Sequence, residues 1–155
     1  MFGTQVEYSA AFGDAPIFVC RADLGWVQRT ADTICTYYHE ATPLQGTVLR
    51  RTGGHFAGSA VAVWTAEDGA GVMLSGDSIG PVAREGWVTF MRSFPNYLPL
   101  SAAVVRRISA SVADLDFDRM YGNFGQHIAT GAHSAVRTSA ERYAEWVSGE
   151  HDDLT

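Results

Sequence analysis

Lysine is absent from this chain of 155 residues: all eleven basic side chains are arginine. Against seventeen Asp and Glu they leave a net charge of −6, which argues against nucleic acid as a partner, because phosphate-held complexes rest on basic surface. Arginine in place of lysine throughout reads as the codon bias of a GC-rich genome. Cysteine is nearly as scarce. Cys20 and Cys35 each sit in an apolar run, so reduced core thiols are expected and not a disulfide. With no CxxC and no Cys/His cluster, a finger-type zinc site is excluded. The longest apolar stretch, around Ala60 to Trp64, falls far short of the ~20 residues that span a bilayer, so no membrane segment is expected. Met1 opens directly into a polar, helix-like segment with neither a charged n-region nor an apolar h-region, and a cytoplasmic location is expected. Internal repeats, low-complexity tracts and linkers are also missing. No Walker A or GxGxxG loop occurs, Gly76-Asp77-Ser78 is not a GxSxG elbow, and Ser59 has no evident base. Phosphate-loop and serine-hydrolase chemistry therefore drop out.

What is present is a globular balance: 46% hydrophobic and 18% charged residues. One domain over residues 1–150 is expected, long enough to bury roughly 70% of its unfolded surface, with a polar tail at 151–155. Gly3 to Phe12 reads as a helix with Phe2, Val6 and Ala10 on one face, stopped by Gly13. Strands are expected at Pro16–Cys20, Thr33–Tyr38 and Thr47–Arg51, with a short helix at Ala22–Gln28. Ser59–Thr65 and Gly71–Ser75 form a hairpin around the Asp68-Gly69 turn signal. Residues 80–99 read as a long loop carrying Trp87, Phe90, Phe94 and Tyr97, followed by a helix opened by Leu98-Pro99 with Leu100, Val104, Ile108 and Val112 inward. Phe117–Tyr121 is the last strand, and Thr130 caps a final helix whose inward positions are Val136, Ala140, Tyr143 and Val147. Early clustered strands with flanking helices predict an α/β sandwich whose loops at one sheet edge carry the chemistry.

Two loops stand out. His55 follows Gly53-Gly54, and Asp77 follows Gly76; the two lie 22 positions apart, on either side of the expected hairpin. An antiparallel pair puts its two flanking loops at the same end of the sheet, and tight glycine turns can aim an imidazole and a carboxylate at one point. Metal ligation and a shared ligand–carboxylate arrangement are both consistent with that pair; alone, each residue reads as an ordinary turn residue. Asp114, Asp116 and Asp118 alternate through a helix end and a strand start, and solvation there accounts for them.

Gly-His-Phe-Ala-Gly-Ser-Ala-Val at 54–61 and Leu-Ser-Gly-Asp-Ser-Ile at 74–79 resemble two metal motifs of the metallo-β-lactamase (MBL) fold metallo-hydrolases. The likeness runs from about residue 2 to 148, and the Trp87–Met91 and Phe94-Pro95-Asn96 segments are similar to those of the same group. It implies a partial MBL αββα sandwich, a mixed sheet with flanking helices, in which His55 and Asp77 bind zinc, or iron, and a small-molecule ester, thioester or lactone is hydrolysed. The family's His-x-His-x-Asp-His motif has no counterpart; Met1-Phe2-Gly3-Thr4 resembles the stretch just after its first pair. The turn that holds the family's final histidine corresponds to Tyr121–Gly125, with Asn123 at the ligand position and His127 nearby as the candidate substitute. His39, His133 and His151 are expected in solvated positions. Two credible ligands fall short of the three protein ligands of catalytic zinc. The alternative expectation is a non-catalytic relative that binds a ligand or partner through the 86–97 aromatic loop and an exposed sheet edge. An incomplete sandwich also leads us to expect a homo-oligomer, or a partner chain that covers the sheet.

Overall fold

A computed structural model describes residues 4–155. The expectations at Met1, Phe2 and Gly3 lie outside the described residues. The chain runs through α1 (Gln5–Ala11), β1 (Ile17–Cys20), β2 (Ile34–Tyr37), β3 (Glu40–Ala41), β4 (Thr47–Arg51), β5 (Ala60–Thr65) and β6 (Gly71–Gly76). It continues through β7 (Gly80–Pro81), β8 (Val88–Thr89), β9 (Met91–Ser93), β10 (Leu98–Pro99), α2 (Ala102–Ser111), β11 (Arg119–Gly122), β12 (His127–Ile128) and α3 (Ala132–Val147).

The main sheet has the order β12-β11-β6-β5-β4-β3. It is mixed: β11 runs parallel to β6, and the other neighbours are antiparallel. Strand alternation sorts its residues between two faces. Val61, Val63, Met73, Met120 and Ile128 point to the side where Val105 and Ile108 of α2 and Val136 and Ala140 of α3 complete a closed core. Ala60, Ala62, Trp64, Leu74 and Tyr121 take the opposite side. There β1 and β2 form a separate parallel pair, and α1 packs on β1. The layers therefore follow the helix–sheet–sheet–helix plan read from the sequence, with the second sheet represented by two strands.

Several expected boundaries move for identifiable reasons. Arg21–Trp26 winds as a 3₁₀ stretch and not an α-helix. The 80–99 loop resolves into two short antiparallel pairs, β7–β8 and β9–β10, so Leu98-Pro99 is strand and does not open the helix. Ser101 caps α2 instead, its hydroxyl accepting the Val104 N–H. Leu100, Ile108 and Val112 are buried as expected, together with Val105, which the spacing-of-four pattern passed over. At α3 the cap is Gly131 at φ 74°, not Thr130; its N–H donates to the Asp118 carboxylate, and the next N–H donates to the Asp118 carbonyl. Val147, expected inward, is exposed. Both cysteines are free thiols, but only Cys20 is buried, and Cys35 is exposed.

Candidate functional site

The β4–β5 connection is folded back on itself, the N–H groups of Thr52 and Gly53 both donating to the Ser59 carbonyl. Gly53 and Gly54 take φ 68° and 92°, the left-handed region that glycine enters without strain. At Gly54 there is a second requirement: a Cβ there would lie 2.5 Å from Cδ1 of Ile108 on α2. His55 is thus delivered from a backbone seated against the core.

The imidazole is largely buried, at 13% side-chain exposure. Its Nδ1 lies 3.2 Å from the Met91 carbonyl. A carbonyl only accepts, so Nδ1 carries the proton, which leaves the Nε2 lone pair for a ligand whenever the ring is neutral. Nε2 lies 3.6 Å from Oδ2 of Asp77. Phe56 and Phe94 flank the ring at 5.1 and 5.7 Å between centroids. Asp77 follows β6, and its other oxygen accepts a hydrogen bond from Nδ2 of Asn123 at 3.0 Å. The parallel pairing of β6 with β11 makes this possible, since it brings Gly76 and Gly122, the residues before Asp77 and Asn123, opposite each other.

The structure therefore brings together His55, Asp77 and Asn123. His127 does not join them: it stacks on Tyr121 and lies exposed on β12. The four aromatic residues of the 86–97 segment separate. Phe90 is fully buried in the core against Tyr143, Phe94 stands beside His55, Trp87 has Arg84 and Arg142 against its ring near α3, and Tyr97 is 81% exposed. Of the other histidines, His133 is half-buried, with Nε2 3.0 Å from the Ala113 carbonyl. His151 lies against Trp146 and Glu145.

Two cavities adjoin the pair. One of about 550 Å³ lies between β1–β2 and the main sheet and includes Cys20, Asp23, Tyr37, Ser59 and Ser78. The other, about 750 Å³, is mainly apolar, with Phe56, Phe94 and Phe124 beside Arg92 and Arg107. Sequence reasoning missed Asp23 and Tyr37. Asp23 is buried and accepts the Gly58 N–H at 2.8 Å, fixing the far side of the His55 loop. The signal was Gly58 itself: a Cβ there would meet Asp23 Cγ and Cys20 Cβ at 2.7 Å each. Burial, followed by electrostatic interaction with Cys20 and Asp23, pushes the Tyr37 phenol up to about 12, so it stays protonated across the physiological range.

As a metal site, this donor set is incomplete. His55 and Asp77 are spaced as two ligands of one ion could be, but among the described residues no group of three His, Cys, Asp or Glu side chains gathers anywhere. Catalytic zinc takes three protein ligands.

No family model matches the chain. The fold is that of the metallo-β-lactamases, as solved structures at 14–18% identity establish. A metallo-β-lactamase family protein from Thermus thermophilus superposes with a TM-score of 0.57, covering 99% of this chain and 58% of that one, at 18% identity. The metallo-β-lactamase MIM-1 from Novosphingobium pentaromativorans gives 0.56 over 99% and 67%, at 15% identity. In sequence the chain is 39% identical to the Bacillus subtilis protein YmaE over 151 residues, 96% of this chain and 55% of that protein. The chain thus spans about half the length of the curated relative it matches. Among the described residues, no helix is long and apolar enough to cross a membrane.

Proposed function

We propose that His55 and Asp77 are the cation-facing pair of a metallo-hydrolase centre whose other donors lie outside the described residues, and that the complete protein hydrolyses a small ester, thioester or lactone. One observation carries this reading: with Nδ1–H given to the Met91 carbonyl, Nε2 of the imidazole and a carboxylate oxygen lie 3.6 Å apart. Two acceptors so placed repel unless a cation or a proton sits between them. A backbone carbonyl that fixes the imidazole tautomer is also the usual support of a metal-bound histidine. Zinc suits the imidazole best, and iron is the second choice. The described residues leave that set unfinished, so no reaction step is assigned to the metal. This chain's own residues orient the pair: Met91 through its carbonyl, Asn123 through Asp77, and Asp23 through the His55 loop. The remaining ligands would come from a second copy, a partner chain or another segment reaching the cavity of about 550 Å³. Exposed Leu74 and Tyr121 on the open sheet face support such a cover, and a cytoplasmic setting accords with two free thiols.

The test is zinc and iron(II) titration followed on the His55 ring by NMR, paired with hydrolysis of a chromogenic ester and lactone panel. Saturable movement of the His55 resonances, abolished by Asp77→Ala, is expected. Resonances indifferent to both metals would refute the proposal. A non-catalytic ligand-binding role is the second reading, favoured by the aromatic cavity beside Phe94, which needs no metal to hold an apolar molecule. Binding there that survives chelation, with no turnover in any metal, would establish it.

A further inference from the structure

A second groove lies away from the His55–Asp77 pair, between the β7–β8 segment and α3. Its centre is Trp87, whose indole has Arg84 at 5.2 Å and Arg142 at 4.9 Å from the ring. Each contact is a cation–π attraction, and together they gather two guanidinium groups at one ring. Neither arginine forms an ion pair among the described residues. The two nearest α3 carboxylates are engaged elsewhere, Glu141 with Arg106 and Glu145 with His151. No aspartate or glutamate lines the groove, although the chain as a whole carries −6. From the arginine end it continues along Met91, Pro99 and Val147 for a cavity of about 420 Å³, within the range that small ligands occupy. The hydroxyls of Ser139 and Tyr143 line it too, each accepting a backbone N–H, from Val88 and Leu100.

We propose that this groove binds an amphipathic oxyanion, with a carboxylate or phosphate head held by Arg84 and Arg142 beside Trp87 and an apolar body lying along Met91, Pro99 and Val147. Guanidinium pairs suit such heads because each presents parallel N–H donors to two oxygens. A body of about eight carbons is the size the cavity accommodates.

Calorimetric titration of the full chain with octanoate, octyl phosphate, inorganic phosphate and 1-octanol tests both halves of the site. Octanoate or octyl phosphate is expected to bind at least tenfold more tightly than either octanol or inorganic phosphate, and the stronger of the two identifies the head. Arg84→Gln with Arg142→Gln should weaken that binding tenfold or more and remove its dependence on salt. Glu85→Gln, a neighbouring exposed change outside the groove, should leave it within twofold. Both arginines are exposed, and melting curves of the variants check that they fold. Octanol binding as tightly as octanoate, phosphate as tightly as octyl phosphate, or wild-type affinity in the folded double variant would each overturn the proposal.

Discussion

The two faces of the six-stranded sheet are made of alternate residues of the same strands, but they are finished to different degrees. On the helix side, Met73 and Met120 are wholly buried beneath α2 and α3. One residue further along each strand, Leu74 and Tyr121 are 48% and 44% exposed, and the layer beyond them amounts to two strands with cavities between. Stability should therefore reside on the helix side, and the His55–Asp77 pair sits at the rim of the other, where closure is least complete.

The sharpest way to break this contrast is to truncate matched positions. Phe90→Ala, deep on the helix side, should cost about 3–5 kcal/mol in denaturant unfolding. Leu74→Ala on the open face should cost less than about 1 kcal/mol. Equal losses would mean that the open face is packed in solution, as by a second copy, which sedimentation would detect. Gly58→Ala forces a methyl group against Asp23 and Cys20 and should cost about 1–3 kcal/mol. Because it acts on the site side, it should disturb the His55 resonances more than those of α3.

Asn123→His tests the incompleteness of the rim directly. It would place a second imidazole where the amide now holds Asp77, and zinc affinity measured by competition with a chromogenic chelator should rise at least tenfold, about 1.4 kcal/mol. No gain would mean that the pair is not poised for an ion. The smallest effects are those of pH. Tyr37 has its phenol raised from 10.0 to about 12, so its contribution is intact below pH 10 and is lost as pH climbs through the folded value. Tyr37→Phe should flatten that alkaline decline. Asp114 titrates the other way: its hydrogen bonds from Arg50 hold the carboxyl below the usual range, so its support is present at neutral pH and fades as pH falls through the lowered value.

Much of the sheet was legible because its strands alternate cleanly and the Asp68-Gly69 turn admits few readings. The pairing of His55 with Asp77 was legible for the same reason: a hairpin fixes which loops share an end. Asn123 was located through the family likeness, and the parallel β6–β11 contact that seats it against Asp77 was not visible, since nothing local encodes which distant strands become neighbours. Helix starts were misplaced where a glycine with an unusual φ, Gly131, served as cap in place of the threonine before it. Phe90 and Trp87 read as members of one aromatic loop. The two β-pairs inside that segment turn Phe90 inward and Trp87 toward α3, a separation that composition does not reveal.

Gly54 rests directly beneath the Ile108 and Leu100 side chains, so the backbone that delivers the imidazole is seated on the core and a side chain added there would press into it. A surface loop ordinarily exchanges its amide protons by small local openings. The Gly53 amide, hydrogen-bonded to the Ser59 carbonyl, should instead exchange more slowly than other loop amides, giving the approach to the site a lifetime nearer that of the core than of its exposed rim.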